Sequence, residues 1–280
     1  MAENDENRPK SEKEMSFLEH LEELRWHLIR SLAAIGVIAI VAFIYRDIIW
    51  HDIILAPSRV DFWTYRMFCK LGDLTGSAAI CIDNLPFIIQ NRNMTAQFTI
   101  AFTSSFIIGL VVAFPYVFWE IWRFVKPGLY NEERNMSRGA VFFVTLLFLL
   151  GILFGYYVVC PISINFLSNF QLDPSIMNEI DLTSYVSTII MLVMACGIMF
   201  QLPMIVFVLA KLGVVTPKFL RTYRKHSIVV IFVVASILTP PDVTSQIIMS
   251  VPLLILYEVS IYVARVVQKK EEIRQQAESF

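Results

Sequence analysis

The chain has 280 residues, is 56% hydrophobic and has a mean hydropathy of +0.62. Soluble domains run at about 45–50% apolar, so a soluble globular domain is excluded and an all-α, polytopic membrane protein is indicated. The net charge of −1 offers no bulk field for nucleic acid or for polybasic lipid binding.

Residues 1–27 are polar and acidic and hold no apolar core of a cleavable signal peptide, so they are expected to stay on the side of synthesis. Ser16 and Glu19 form a capping box at the start of a helix. Phe17, Leu21, Leu24 and Leu28 then recur at helical spacing. Glu22 stands three residues before Arg25, which can absorb it locally. Glu23 has only Glu19 and His27 one turn away, so no basic partner is committed to it. By periodicity alone it belongs to a solvated helix face.

A bilayer core asks for about 20 apolar residues per helix. Leu28–Tyr45, Phe98–Trp119, Ala140–Val159 and Tyr185–Ala210 meet or approach that length. Ser227–Leu238 and Ile247–Val263 are shorter, and the breaker Thr239-Pro-Pro-Asp242 separates them. They are expected to form a hairpin of two short helices. The result is a six-helix membrane domain over 28–266, with a long outer loop at 46–97 and a tail at 267–280.

Lysine and arginine set the orientation. Arg25 and Arg30, Arg123 and Lys126, Lys218 to Lys225, and Lys269 and Lys270 fall on one side, while 161–184 and 240–246 carry none. Both termini are therefore expected in the cytoplasm. The outer loop holds an aromatic stretch, Phe62, Trp63, Tyr65 and Phe68, expected to lie on the outer interface. It also holds Cys69 and Cys81, a disulfide if that side is oxidising and two thiols otherwise. Cys160 and Cys196 read as small packing residues.

In the loop Phe124-Val-Lys-Pro-Gly-Leu-Tyr-Asn-Glu-Glu-Arg134, Pro127-Gly128 signals a turn. Asn131 is a plausible N-cap, and Glu132 and Glu133 fall in a first helical turn, where acids are favoured. Glu133 nevertheless shares a membrane face with Glu23, and carboxylates there can each grip a guanidinium bidentately. Gln201 lies inside the fourth apolar run, where a polar group is costly unless paired; interhelical hydrogen bonding is its ordinary use. Glu258, two turns before Arg265, has either an intramolecular partner or a partner helix to meet.

The motifs His20-Leu-Glu-Glu-Leu-Arg25, Phe124-x-x-Pro-Gly-Leu-Tyr-x-x-Glu-Arg134 and Thr239-Pro-Pro-Asp242, in that order, resemble those of the TatC family. That family supplies the multispanning receptor subunit of the twin-arginine protein translocase. The resemblance covers roughly residues 16–268. It implies binding of consecutive arginines in the signal peptides of folded cargo at the cytoplasmic face of a bacterial inner membrane. It further implies an oligomeric complex with single-span partners of the TatA and TatB type, docked near the last two helices, and proton-gradient-driven export. Carried over by motif, Glu23 and Glu133 are the recognition carboxylates and Phe124 their apolar neighbour. Pro57 and Pro115 are shape-setting, as is Pro127. Where TatC-like proteins often carry a glutamate, Phe200-Gln-Leu-Pro203 has Gln201. That position cannot titrate here, although hydrogen bonding to a partner helix survives the change.

The competing class is a secondary transporter or channel. It calls for charges deep in several spans, and the third and fourth apolar runs have none. An enzyme is not expected. The sequence has no His-Glu-x-x-His, no phosphate loop of the Gly-x-x-x-x-Gly-Lys type and no ligand set calling for a metal or cofactor.

Overall fold

The structure, a computed structural model, describes residues 17–76, 81–125, 137–173, 175–239 and 243–278. Ser16, Pro127, Asn131, Glu132, Glu133 and Asp242 lie outside the described residues.

The first helix, α1 (Phe17–Ile44), carries the charged start straight into the membrane without a break. A short helix α2 (Arg46–Ile49), a π-helical turn (Trp50–Ile54) and a 3-10 turn (Ala56–Ser58) follow, then α3 (Trp63–Thr75) and strand β1 (Ile88–Gln90). The long α4 (Ala96–Val125) returns through the membrane with Pro115 inside it. Next come α5 (Ser137–Phe154), a π-helical turn (Gly155–Val159) and α6 (Cys160–Asn169), then β2 (Glu179–Asp181) and α7 (Leu182–Met199). The chain ends with α8 (Leu202–Lys211), α9 (Pro217–Thr222), α10 (Arg224–Leu238) and α11 (Val243–Glu278).

Five helices among the described residues are long and apolar enough to cross a membrane: Leu21–Ile44, Ala96–Phe124, Val141–Asn169, Leu182–Lys211 and Ser245–Lys269. The protein is thus a helical membrane protein. At 15 residues, α10 is short for a bilayer. By contrast, α11 runs for 36 residues because the polar tail after Lys269 is rich in good helix formers.

The third span departs from its expected end at Val159. Pro161 lacks an N–H and would ordinarily stop a helix. Here it occupies the first turn of α6, directly after the wide turn Gly155–Val159, so no interior bond is lost. The helix therefore continues to Asn169. The fourth span breaks at Phe200 and Gln201, just before Pro203 at the start of α8.

α1 and α4 form the most extensive helix pair, followed by α8 with α11 and α5 with α7. The main core gathers Ile100, Ile164, Leu192, Ala235 and Leu253 from five helices. Much of the remaining apolar surface faces outward. Phe98 and Phe102 are 70% and 66% exposed, as suits side chains whose solvent is lipid.

The outer loop is a built structure. Phe62 and Tyr65 are buried rather than laid on the interface. The Phe62 ring meets those of Tyr156 and Tyr157 at 5.5 and 5.7 Å. Tyr65 donates its hydroxyl to the Pro57 carbonyl at 2.9 Å and lies 3.2 Å from that of Pro161. Burial, with Cys160 adding to it, pushes the Tyr65 hydroxyl above its ordinary range, so it stays a protonated donor. The opposite side of α3 exposes Trp63, Met67, Leu71 and Leu74 at helical spacing, an interfacial stripe. β1 pairs in parallel with β2, Ile89 opposite Ile180, and ties this loop to the start of α7.

Cys69 and Cys81 are joined as a disulfide. Closing a loop of this size contributes about 3 kcal/mol by chain entropy. A Cys69→Ser/Cys81→Ser variant is expected to insert normally while the loop becomes several-fold more sensitive to protease from the outer side. Unchanged cleavage would show the bridge to be dispensable for the loop's order.

Candidate functional site

The α1–α4 seam begins as a close apolar contact. A side chain at Gly109 of α4 would meet the Ile35 carbonyl of α1 at 2.8 Å and Ala39 at 3.0 Å. Towards the lysine- and arginine-rich end the seam turns polar. Glu120, four residues from the end of its span, is only 1% exposed. His27 Nδ1 pairs with its Oε2. The Tyr116 hydroxyl donates to Oε1 at 3.0 Å, and Arg30 Nη1 stands 4.0 Å from Oε2. A buried carboxylate needs such company, and one turn of α4 with one turn of α1 provides it.

This cluster organises two of the residues carried over by motif. Phe124 lies one turn beyond Glu120, and its ring meets that of His27 edge-on at 6.0 Å. Glu23 lies one turn before His27 on the same strip of α1 and is half-buried. Among the described residues no hydrogen bond or ion pair engages the Glu23 carboxylate. The site thus presents an available acid and an aromatic side chain, braced from below by His27 and Glu120. Glu133 and Pro127 lie outside the described residues.

The other candidates stand apart. Gln201 sits at the α7–α8 break and donates Nε2 to the Val144 carbonyl of α5 at 3.3 Å, while its Oε1 is buried without a partner among the described residues. Glu258 on α11 accepts from Arg224 Nη2 on α10 at 2.9 Å, with both side chains about half exposed; its partner is intramolecular. Pro57 is buried under α3, and Pro115 interrupts the backbone ladder of α4 one residue before Tyr116. Among the described residues, no cluster of His, Cys, Asp and Glu is placed to hold a metal ion.

Sequence reasoning does not single out Glu120. The second apolar run ends at Trp119, and an acid just past it reads as an interface residue. The Tyr116–Glu120 spacing, one helical turn, is the only local hint.

These features define a multispanning helical membrane protein with a buried polar cluster at one end of its α1–α4 seam. The family description "Sec-independent protein translocase protein (TatC)" matches residues 19–252. The Sec-independent protein translocase protein TatC of Blattabacterium is 41% identical over 267 residues, covering 94% of this chain and all of that one. Two crystal structures described as the twin arginine translocase receptor TatC superpose on it. One has a TM-score of 0.68 at 31% identity and covers 88% of this chain and 99% of its own. The other has a TM-score of 0.64 at 29% identity and covers 89% and 100%. The chain belongs to the TatC family: it is a receptor subunit of a Tat translocase and not an enzyme.

Proposed function

We propose that this subunit binds the consecutive arginines of signal peptides on folded cargo through Glu23 and Glu133, with Phe124 packing beside them. The observation that carries this reading is Glu23 itself. It is a half-buried carboxylate with no hydrogen-bond or ion-pair partner among the described residues, one turn from a histidine that already touches Phe124. A guanidinium offers a planar fork to a carboxylate, whereas an ammonium offers a point charge. A partly desolvated charged hydrogen bond contributes about 1.5–3 kcal/mol. Two such contacts discriminate Arg-Arg from Lys-Lys by about 10²–10⁴.

The wider reading follows the distribution of charge. In this reading the chain crosses a bacterial inner membrane six times, with α10 as the short fifth crossing and both termini and the Glu23 end on the cytoplasmic side, as the lysine and arginine distribution supports. Single-span partners of the TatA and TatB type join along the α10–α11 edge. Gln201, its Nε2 on the Val144 carbonyl and its Oε1 buried, joins α5 to the α7–α8 break within this chain.

A photocrosslinker beside Glu133 in membrane vesicles tests the recognition step. Strong labelling by an Arg-Arg signal peptide is expected, with little by its Lys-Lys twin. Glu23→Ala and Glu133→Ala are each expected to abolish labelling while the protein still inserts. Equal labelling by the two peptides, or normal labelling of both variants, would refute the assignment.

A further inference from the structure

Lys218 and Arg221 of α9 and Arg265 of α11 line one groove of about 490 Å³, whose walls are completed by Pro217, Thr222 and Gln268. The groove is held rigidly although α9 is short. Thr216 caps α9 by accepting from the Phe219 N–H at 3.2 Å. Leu220 is buried against Ile261 and Ala264 of α11. The Tyr257 hydroxyl donates to the Leu220 carbonyl at 2.7 Å. Among the described residues none of the three cations is in an ion pair, whereas their neighbour Arg224 is taken by Glu258. Gln268 is turned towards Glu272 at 2.9 Å. Three like charges around one groove favour an anion between them.

The groove stands where two spans leave the apolar layer, Leu182–Lys211 and Ser245–Lys269. On the outward face of α11, about a quarter turn around the helix from Arg265, Ile255, Val259, Tyr262 and Val266 follow one another at steps of four, three and four residues. They are 59%, 43%, 64% and 39% exposed. This apolar stripe runs up the helix and ends at Val266, at the level of Arg265. Phe219, 51% exposed, adds an aromatic ring from α9.

We propose that the α9–α11 groove binds the phosphate-bearing headgroup of an anionic phospholipid, whose acyl chains lie along the Ile255–Val266 stripe. The two arginines suit a phosphate, which they can meet with paired hydrogen bonds. The stripe selects a lipid over a soluble anion, because a free phosphate gains nothing from exposed apolar side chains beside its site. Each lysine or arginine near an anionic membrane surface is worth about fivefold in affinity. Three of them give about 10²-fold over a zwitterionic lipid. The site is independent of signal-peptide recognition at the α1–α4 seam.

The full chain in detergent tests this by native mass spectrometry and thermal melting. The probes are phosphatidylglycerol, phosphatidylcholine, glycerol 3-phosphate and inorganic phosphate. Phosphatidylglycerol is expected to stay bound and to raise Tm, and the other three to do neither. Lys218→Gln/Arg221→Gln/Arg265→Gln is expected to weaken phosphatidylglycerol binding about 10²-fold, with its Tm in phosphatidylcholine unchanged. Arg265→Gln alone is expected to weaken it about fivefold, and it decides the matter if the triple variant does not fold. Unaltered phosphatidylglycerol binding by the variants, or an equal shift from inorganic phosphate, overturns the proposal.

Discussion

His27→Leu is expected to lower the stability of the folded protein by about 2–3 kcal/mol, the usual cost of removing a hydrogen-bond partner from a buried polar group. Glu120 is 1% exposed and lies within an apolar span. Without His27 its carboxylate keeps, among the described residues, the Tyr116 hydroxyl and an arginine 4.0 Å away that is itself half exposed. Such a group is left under-solvated with nowhere to relax, since its helix is fixed to α1 along the whole seam. His27→Leu/Glu120→Leu should recover most of the loss, because replacing both hydrogen-bond partners by apolar groups is nearly neutral. The four-member cycle, read by thermal melting of detergent-solubilised protein, isolates the coupling. Melting of His27→Leu together with the parent, or a double variant no better than the single, would remove the pair from any structural role.

That pair also marks what a sequence reader can and cannot see. Apolar run length locates the five long spans, and of the motif residues Phe124 meets His27, one turn after Glu23 on α1. Glu120 escapes because its meaning depends on the register of α1 against α4, set by contacts between residues 93 apart in the chain. The continuation of the third span past Pro161 escapes for a different reason. A proline stops a helix only where its N–H is needed, and the wide turn at Gly155–Val159 removes that need. The outer loop's aromatic residues are visible as a group. Which of them turn inward is decided by Tyr156 and Tyr157 on a distant span. The parallel pairing of Ile88–Gln90 with Glu179–Asp181 has no local signature at all.

Gly151→Ala and Gly36→Ala make the same chemical change in two membrane-spanning helices, and they are expected to act in opposite directions. Helix association in lipid gains little from the hydrophobic effect and depends on close backbone approach at small residues. α5 and α7 meet in that way. A Cβ on Gly151 would stand 2.6 Å from the Cys196 carbonyl oxygen, and 2.9 Å from both the Gly197 Cα and the Phe200 Cβ. Two of these atoms are backbone, so no rotamer change relieves the clash and one helix must move. On the other side, a Cβ on Gly197 would meet Ile152 at 2.8 Å and Phe148 at 3.0 Å, so the displaced helix has no slack to slide into. Overpacking of this kind costs about 1–3 kcal/mol and sometimes more; the backbone contacts place Gly151→Ala at the upper end. Gly36 in α1 has open space where its Cβ would be, and alanine there gains about 0.5–1 kcal/mol of helix propensity. Melting temperatures in detergent, with the yield of monodisperse protein as a second readout, should rank Gly36→Ala above the parent and Gly151→Ala well below it. If the two variants melt together, α5 and α7 are not in backbone contact, and the kinked fourth span that presents Gln201 to α5 must be held by something other than this glycine seam.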